Sequence, residues 1–242
     1  MEKVYEREYA GHRLRFAFVH PSTRLFFDPT LRPVSGEPVI LATEQRIEGA
    51  RRKLPEEAKI GYVENQTLIG LAGQALLRYG CCIFHAVSFI FGEDAYLLAA
   101  PSGTGKSTQY FNWQRLHPGE IRMISGDMPV LEHREDGSVW VHPSNWNGKE
   151  KIGGKDPARL RGVVLLEQGK ENRIRRLSPQ DAIPPLFRQF VADLEREEEV
   201  QALASLLERM LLTAPVWQFV NLGDDASTEL LRRELLWNAE RE

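Results

Sequence analysis

Cysteine is nearly absent from this sequence: two residues among 242, and those two adjacent, Cys81-Cys82. Neighbouring side chains on a strand point to opposite faces, which argues against a bridge between them. There is no C-x-x-C pair and no His/Cys cluster, so the signature of structural zinc is missing as well. The expectation is a reducing compartment and two small apolar thiols. An excess of one charge is also lacking. Lys and Arg number 31 against 34 Asp and Glu, a net charge of −3, which gives no electrostatic reason to expect nucleic acid. Basic residues cluster only at Arg51-Arg52-Lys53 and at Arg173-Ile174-Arg175-Arg176, and both read as solvated faces. No apolar run is long enough to span a bilayer. The N-terminus, Met1-Glu2-Lys3-Val4-Tyr5-Glu6-Arg7, is charged and carries no apolar signal core. A cytoplasmic protein with no membrane partner follows as the expectation, and the sequon Asn65-Gln66-Thr67 has no meaning there. Internal repeats and low-complexity segments are missing too.

What is present is a chain of ordinary size with enough apolar residues, 42 %, for a real core. Its parts suggest one domain over 1–242, with a β-rich extension at 1–60 and a core at 64–242. His12 to Val19 alternates polar and apolar in part. Arg24-Leu25-Phe26-Phe27 and Pro38-Val39-Ile40-Leu41 are short apolar runs between turn residues, so residues 4–50 read as an antiparallel β layer. Residues 43–60 are charged and read as a connector with a short helix. Glu64 to Tyr79 places Leu68, Leu71, Ala72, Ala75, Leu76 and Tyr79 at helical spacing, and Gly80 is suited to end that helix.

The chain is organised around Ala100-Pro101-Ser102-Gly103-Thr104-Gly105-Lys106-Ser107-Thr108, which reads as a phosphate-binding loop. Gly103 and Gly105 let the backbone turn tightly and aim its N–H groups inward. Lys106 supplies charge for the β- and γ-phosphates, and Ser107 a hydroxyl for Mg²⁺. Tyr96 to Ala100 reads as the strand leading in. Thr108 to Trp113 reads as the helix leading out, its N-terminus toward the phosphates. Ala100 stands where the usual pattern has glycine.

Before the loop, Cys82 to Phe91 reads as one strand, Gly92-Glu93-Asp94 as a turn and Ala95 to Ala100 as the next strand. So short a turn allows only an antiparallel hairpin. Parallel-sheet nucleotide-binding folds have no such hairpin ahead of the loop, so a mixed sheet is expected. His85 lies in the first strand of that hairpin and reads equally as a core histidine or as part of the site. Ile121 to Ser125 is a short apolar strand running into Gly126-Asp127. Asp127 is therefore the candidate acid near the phosphates, with a simple turn aspartate as the other reading. Pro129 to Val141 suggests another hairpin. In the polar loop 142–155, Asn145, Asn147, Lys149, Glu150 and Lys151 are candidates for phosphate, metal or acceptor. Glu150 is taken as a second Mg²⁺ ligand or an acceptor-site acid. Trp146 argues that the loop packs on something. Trp113 reads as core. Arg161 to Glu167 reads as a buried strand, 179–213 as two helices with the charged run Glu195–Glu199 between them, Ala214 to Val220 as a last strand and Asp225 to Asn238 as a closing helix.

With these residues assembled, the chain resembles the HPr kinase/phosphorylase family and its shorter kinase-like relatives, whose nucleotide site is related to that of phosphoenolpyruvate carboxykinase. The resemblance covers roughly residues 80–167. It rests on Phe84-His85-Ala86-Val87-Ser88, the hairpin, the Pro101–Thr108 loop and Ile124-Ser125-Gly126-Asp127. It implies an α/β (α+β) mixed-sheet nucleotide-binding domain of that type with an N-terminal β-rich extension. It also implies ATP, Mg²⁺ and transfer of phosphate to a serine hydroxyl of a protein or peptide, including a ribosomally made peptide. The alternatives are a small hydroxylated acceptor, or a nucleotide-responsive module that binds without transferring. The candidate catalytic residues are thus His85, Lys106 and Asp127, the first and last also matching the family's histidine and acid; Ser102–Thr108 are the candidate phosphate binders, and Ser107, Asp127 and Glu150 the candidate metal ligands. The family often carries two consecutive acids where this chain has Gly126-Asp127. Either Asp127 serves as base, or a residue of the 142–155 loop does, or transfer has been lost.

Overall fold

A computed structural model describes residues 3–239. Met1 and Glu2, at the head of the charged N-terminus, lie outside the described residues. The chain divides into two compact units. One comprises Met1–Ile83 and Val191–Leu203, the other Phe84–Phe190 and Ala204–Glu242.

In the first unit, β1 (Val4–Tyr9) and β2 (His12–Ala17) form a hairpin with Tyr9 opposite His12. A turn through positive φ at Ala10 and Gly11 closes it. Helix α1 (Arg24–Phe27) follows a 3₁₀ turn at Pro21–Thr23, so the apolar run at 24–27 is helical and not a strand. Pro21 presets φ for a helical turn, which overrides the β propensity of two phenylalanines. β3 (Pro33–Val34) and β4 (Ile40–Leu41) complete a sheet in the order β3-β1-β2-β4. Since β4 runs parallel to β2, this layer is mixed and not antiparallel throughout. Helix α2 (Glu44–Arg51) is capped by the Thr43 hydroxyl, which accepts from Arg46 N. Helix α3 (Ile60–Leu77) begins four residues ahead of the expected start, and Gly80 follows its end at φ 67°.

Glu64 on α3 is fully buried and fixes the path of the chain after β2. Its carboxylate accepts from Val19 N (2.7 Å), His20 N (2.9 Å) and the Thr23 hydroxyl (2.5 Å).

Strand β5 (Cys81–Phe84) crosses the boundary between units. Both cysteines are buried and neither forms a disulfide; burial pushes the Cys82 thiol up to about 12. The strand expected over 82–91 is broken at His85, and β6 (Ala86–Phe91) starts beyond it. β6 and β7 (Asp94–Ala99) make the expected antiparallel hairpin, closing with Phe91 opposite Asp94. Then come α4 (Lys106–Leu116), β8 (Ile121–Ser125), and the antiparallel pair β9 (Val130–His133) and β10 (Val139–His142). The long β11 (Ala158–Gln168) and β12 (Arg173–Arg176) follow. The chain ends through α5 (Pro179–Phe187), β13 (Phe190–Val191), α6 (Glu197–Thr213), β14 (Val216–Asn221) and α7 (Asp225–Ala239). Glu197–Glu199, expected between two helices, form the first turn of α6.

The second unit is a mixed sheet with helices, the α/β class expected. Its strands run β9-β10-β11-β7-β6-β8. β11 is parallel to β7 along one edge. Its other edge is shared by β10, antiparallel near its start, and β14, parallel over Val163–Gln168. One face of this sheet buries Val87, Phe89, Phe91, Leu98, Val164 and Phe219 against Tyr110 and Trp113 of α4 and Leu231 and Leu235 of α7. Each such large side chain contributes about 1.5–3 kcal/mol by leaving water. Trp113 is thus a core residue, as its sequence context suggested. No helix among the described residues is long and apolar enough to cross a membrane.

Replacing Glu64 by Ala leaves two partly buried backbone N–H groups and a buried hydroxyl without their acceptor. The expected loss is about 3 kcal/mol, read as a lowered urea midpoint in the transition that reports the first unit.

Candidate active site

The loop Pro101–Gly105 joins β7 to α4. Gly103 and Gly105 sit at φ 81° and 104°. A Cβ at either would meet no atom within 4 Å, so left-handed backbone, and not crowding, is what requires glycine there. Thr104 N and its hydroxyl both bond to Pro101 O, at 3.4 and 2.9 Å, which tightens the turn. The first bond inside α4 is Gln109 N to Gly105 O (3.0 Å). The amides of Lys106, Ser107 and Thr108 are therefore the helix's open donors. Ser102, Gly103 and Thr108 are exposed and Ser107 is partly so.

Two strand interruptions bring His85 and Asp127 together. β6 pairs antiparallel with β8 as far as Ser88 opposite Ser125, where a bulge is stitched by the Ser88 side chain. Its Oγ accepts from Ser125 N (2.9 Å) and donates to Ser125 O (3.2 Å). Beyond the bulge, Ala86 N donates to Asp127 O (2.8 Å) and Phe84 N to Pro129 O (3.0 Å), while His85 N turns away to Gln189 O (2.7 Å). The gap between β5 and β6 thus faces the gap between β8 and β9.

Three side chains meet at one atom. Lys106 Nζ lies 3.2 Å from His85 Nε2, and Asp127 Oδ1 lies 3.3 Å from the same nitrogen. In one tautomer Nε2 accepts from the ammonium; with its own hydrogen it donates to the carboxylate. It does not do both at once. Lys106 also donates to Ala100 O (2.8 Å) and Pro101 O (3.4 Å), the carbonyls at the head of its own loop. Burial holds its ammonium below the ordinary lysine range, against the opposing pull of Asp127 and Glu150. Glu150 is exposed, and its charge bears on Lys106. Among the described residues no group of three His, Cys, Asp or Glu side chains is arranged to hold a metal ion.

The 142–155 loop does not hang free. Trp146 is buried, as its sequence context suggested. Asn147 turns inward, its Oδ1 accepting from the Ser125 hydroxyl (3.1 Å) and Gly126 N (3.2 Å). Gly126 is where the resemblance would place a second acid. A Cβ there would lie 2.7 Å from Ile152 O and 2.8 Å from Asn147 O. Loop backbone occupies the space a side chain would need.

Against known proteins, no protein-family model matches this chain, and no curated protein does. Among solved structures it is similar to the HPr(Ser) kinase/phosphatase from Coxiella burnetii. That match has a TM-score of 0.36 and 10 % identity, and covers 64 % of this chain and 96 % of that one.

Sequence reasoning missed a buried network behind α4. Gln109 Nε2 donates to Asn221 Oδ1 (3.1 Å) and Ser227 Oγ (2.6 Å), and its Oε1 accepts from the Thr228 hydroxyl (3.0 Å). Asn221 Nδ2 donates in turn to Glu167 O (3.0 Å). These bonds tie the first turn of α4 to the ends of β11 and β14 and the start of α7. A glutamine three residues past the loop lysine is the one signal the sequence offered. Gln109→Leu leaves buried partners unsatisfied and is expected to cost about 2 kcal/mol, measured as a lowered melting temperature.

Proposed function

We propose that this chain is an ATP- and Mg²⁺-dependent kinase that transfers the γ-phosphate to a serine hydroxyl of a protein or peptide. The observation that carries this reading is the meeting of Lys106, His85 and Asp127 at one nitrogen, beside a loop whose glycines are held in left-handed conformation. The residues fit the group. The open space beyond Gly103 and Gly105 and the three open amides of α4 suit phosphate oxygens. The hydroxyl of Ser107 and the carboxylate of Asp127 are the hard oxygen donors that Mg²⁺ takes, with phosphates and water filling its remaining positions. Glu150 is a further carboxylate at the rim. When bound, the ion neutralises charge on the phosphate oxygens.

Ser102–Thr108 hold the phosphates, and Lys106 adds its charge on exchanging the carbonyls of Ala100 and Pro101 for phosphate oxygens. His85 Nε2 then loses the ammonium as donor, and in the tautomer that carries its hydrogen on Nε2 the ring donates to Asp127, which steadies the carboxylate. Transfer forms an O–P bond at the acceptor hydroxyl, breaks the bond to the β-phosphate's bridging oxygen, and releases the hydroxyl proton. We assign that proton to Asp127. A second reading, a module that binds ATP without transferring it, is favoured by the closed position at Gly126, which leaves one acid where the resembling family often has two.

Purified protein, ATP, Mg²⁺ and a library of serine peptides separate the two. Asp127→Asn is expected to bind ATP within a few-fold of the parent and to transfer about 100-fold more slowly. Lys106→Ala is expected to weaken ATP binding at least about tenfold. Tight ATP binding with no acceptor-dependent ADP production sinks the kinase reading and leaves the module.

The lowered affinity of Lys106 for its proton gives a pH test. Bound phosphates favour the charged ammonium, so ATP binding takes up a proton at alkaline pH and weakens as pH rises through the lowered value. Calorimetry in buffers of different ionisation enthalpy reads that uptake.

A further inference from the structure

The Ser144–Gly148 turn grips the chain on both sides of Asp127. On one side Asn147 Oδ1 accepts from Gly126 N (3.2 Å) and the Ser125 hydroxyl (3.1 Å). On the other, Met128 N donates to Trp146 O (3.1 Å), and the Ser144 hydroxyl donates to Met128 O (2.6 Å). The turn is braced internally. Asn147 Nδ2 donates to Ser144 O (3.1 Å), and Trp146 N to Ser144 Oγ (3.1 Å). Its far side is held too: Gly154 N donates to Ile124 O (2.9 Å), and Gly153 bridges to Ser125. A side chain at Gly126, Gly153 or Gly154 would strike this assembly. The Gly153 Cβ would lie 2.5 Å from Asn147 Nδ2, and the Gly154 Cβ 1.9 Å from Met123 O.

We infer that Asn147 is the positioning residue for Asp127, and that its turn locks this one acid from both flanks. The inference rests on the kinase reading. A carboxylate on this irregular stretch between two strands is held across the sheet at one point, Ala86 N to Asp127 O (2.8 Å). Here the amides before and after it each donate to the turn, so the backbone at 126–128 is set and the Asp127 side chain is left to His85. Asn147 touches neither phosphate nor acceptor in this role. Its removal would release the Gly126 amide and the Ser125 hydroxyl and loosen the carboxylate, with the phosphate loop untouched.

The test compares the parent with Asn147→Ala, Asn147→Asp and Gly126→Ala. It measures ATP affinity, steady-state transfer to a serine peptide, thermal melting, and hydrogen exchange at the Gly126 and Met128 amides. Asn147→Ala is expected to lower kcat about 10- to 100-fold, as loss of an outer partner does. The KM for ATP should stay within about threefold, and exchange at Gly126 should be faster. Asn147→Asp keeps both acceptances but loses the donation to Ser144 O, and should recover part of the loss. Gly126→Ala, which pushes the turn away by collision, should reproduce the Asn147→Ala pattern. The inference is overturned if Asn147→Ala keeps kcat within about twofold of the parent. It is equally overturned if the loss follows melting or ATP affinity, or if exchange at Gly126 is unchanged. A parent that binds ATP but transfers nothing overturns the kinase reading, and this inference with it. A parent that transfers phosphate while Asn147→Ala matches it overturns this inference alone.

Discussion

The candidate site depends on one backbone hydrogen bond, from Ala86 N to Asp127 O, and on the two bonds beside it. Strands β6 and β8 approach as an ordinary antiparallel pair. At the Ser88 bulge the register slips; past it β8 ends at Ser125, while β6 runs on to Ala86 and the chain breaks at His85. There Ala86 still holds Asp127 by its carbonyl, while the His85 amide bonds to Gln189. Without the interruption, His85 and Asp127 would be two more residues of a regular ladder. With it, the His85 side chain meets both Lys106 and Asp127.

The surrounding structure serves that arrangement. The hairpin β6-β7 sets Ala86, next to His85, opposite Ala99 at the head of the Pro101–Gly105 loop, so Lys106 at the start of α4 reaches His85. Core packing of Phe89, Tyr110 and Trp113 seats α4 on the sheet. The Gln109–Asn221–Ser227–Thr228 network holds its first turn. The cost is electrostatic: Lys106 is buried, and burial weakens its hold on its proton. Carbonyls, imidazole and carboxylate answer that cost, and phosphate oxygens would answer it more fully.

Much of this was legible in sequence because it is local. The Pro101–Thr108 loop, the hairpin before it, the core place of Trp113 and the strand leading to Asp127 follow from glycine, spacing and apolar pattern over fewer than twenty residues. His85 and Asp127 were singled out on the same grounds, and the structure brings His85 to Lys106 and Asp127 to His85. One misreading was local and one was not. The apolar run at 24–27 is helical because Pro21 starts a turn ahead of it. The strand over 82–91 breaks at His85 because its amide is claimed by Gln189, more than a hundred residues away.

The sequence by itself determined that a left-handed, glycine-dependent loop enters a helix with a lysine at its start, and that one aspartate follows a short apolar strand. Backbone conformation and hydrophobic period are properties of neighbouring residues. Only the tertiary structure decided that Lys106 and Asp127 share His85 Nε2, that Gln109 anchors α4, and that Gly126 is glycine because the backbone of residues 147 and 152 lies against it. Those facts are distances between segments 20 to more than 100 residues apart. They are set by strand register and by the folding back of a loop, which leave no periodic mark in the chain.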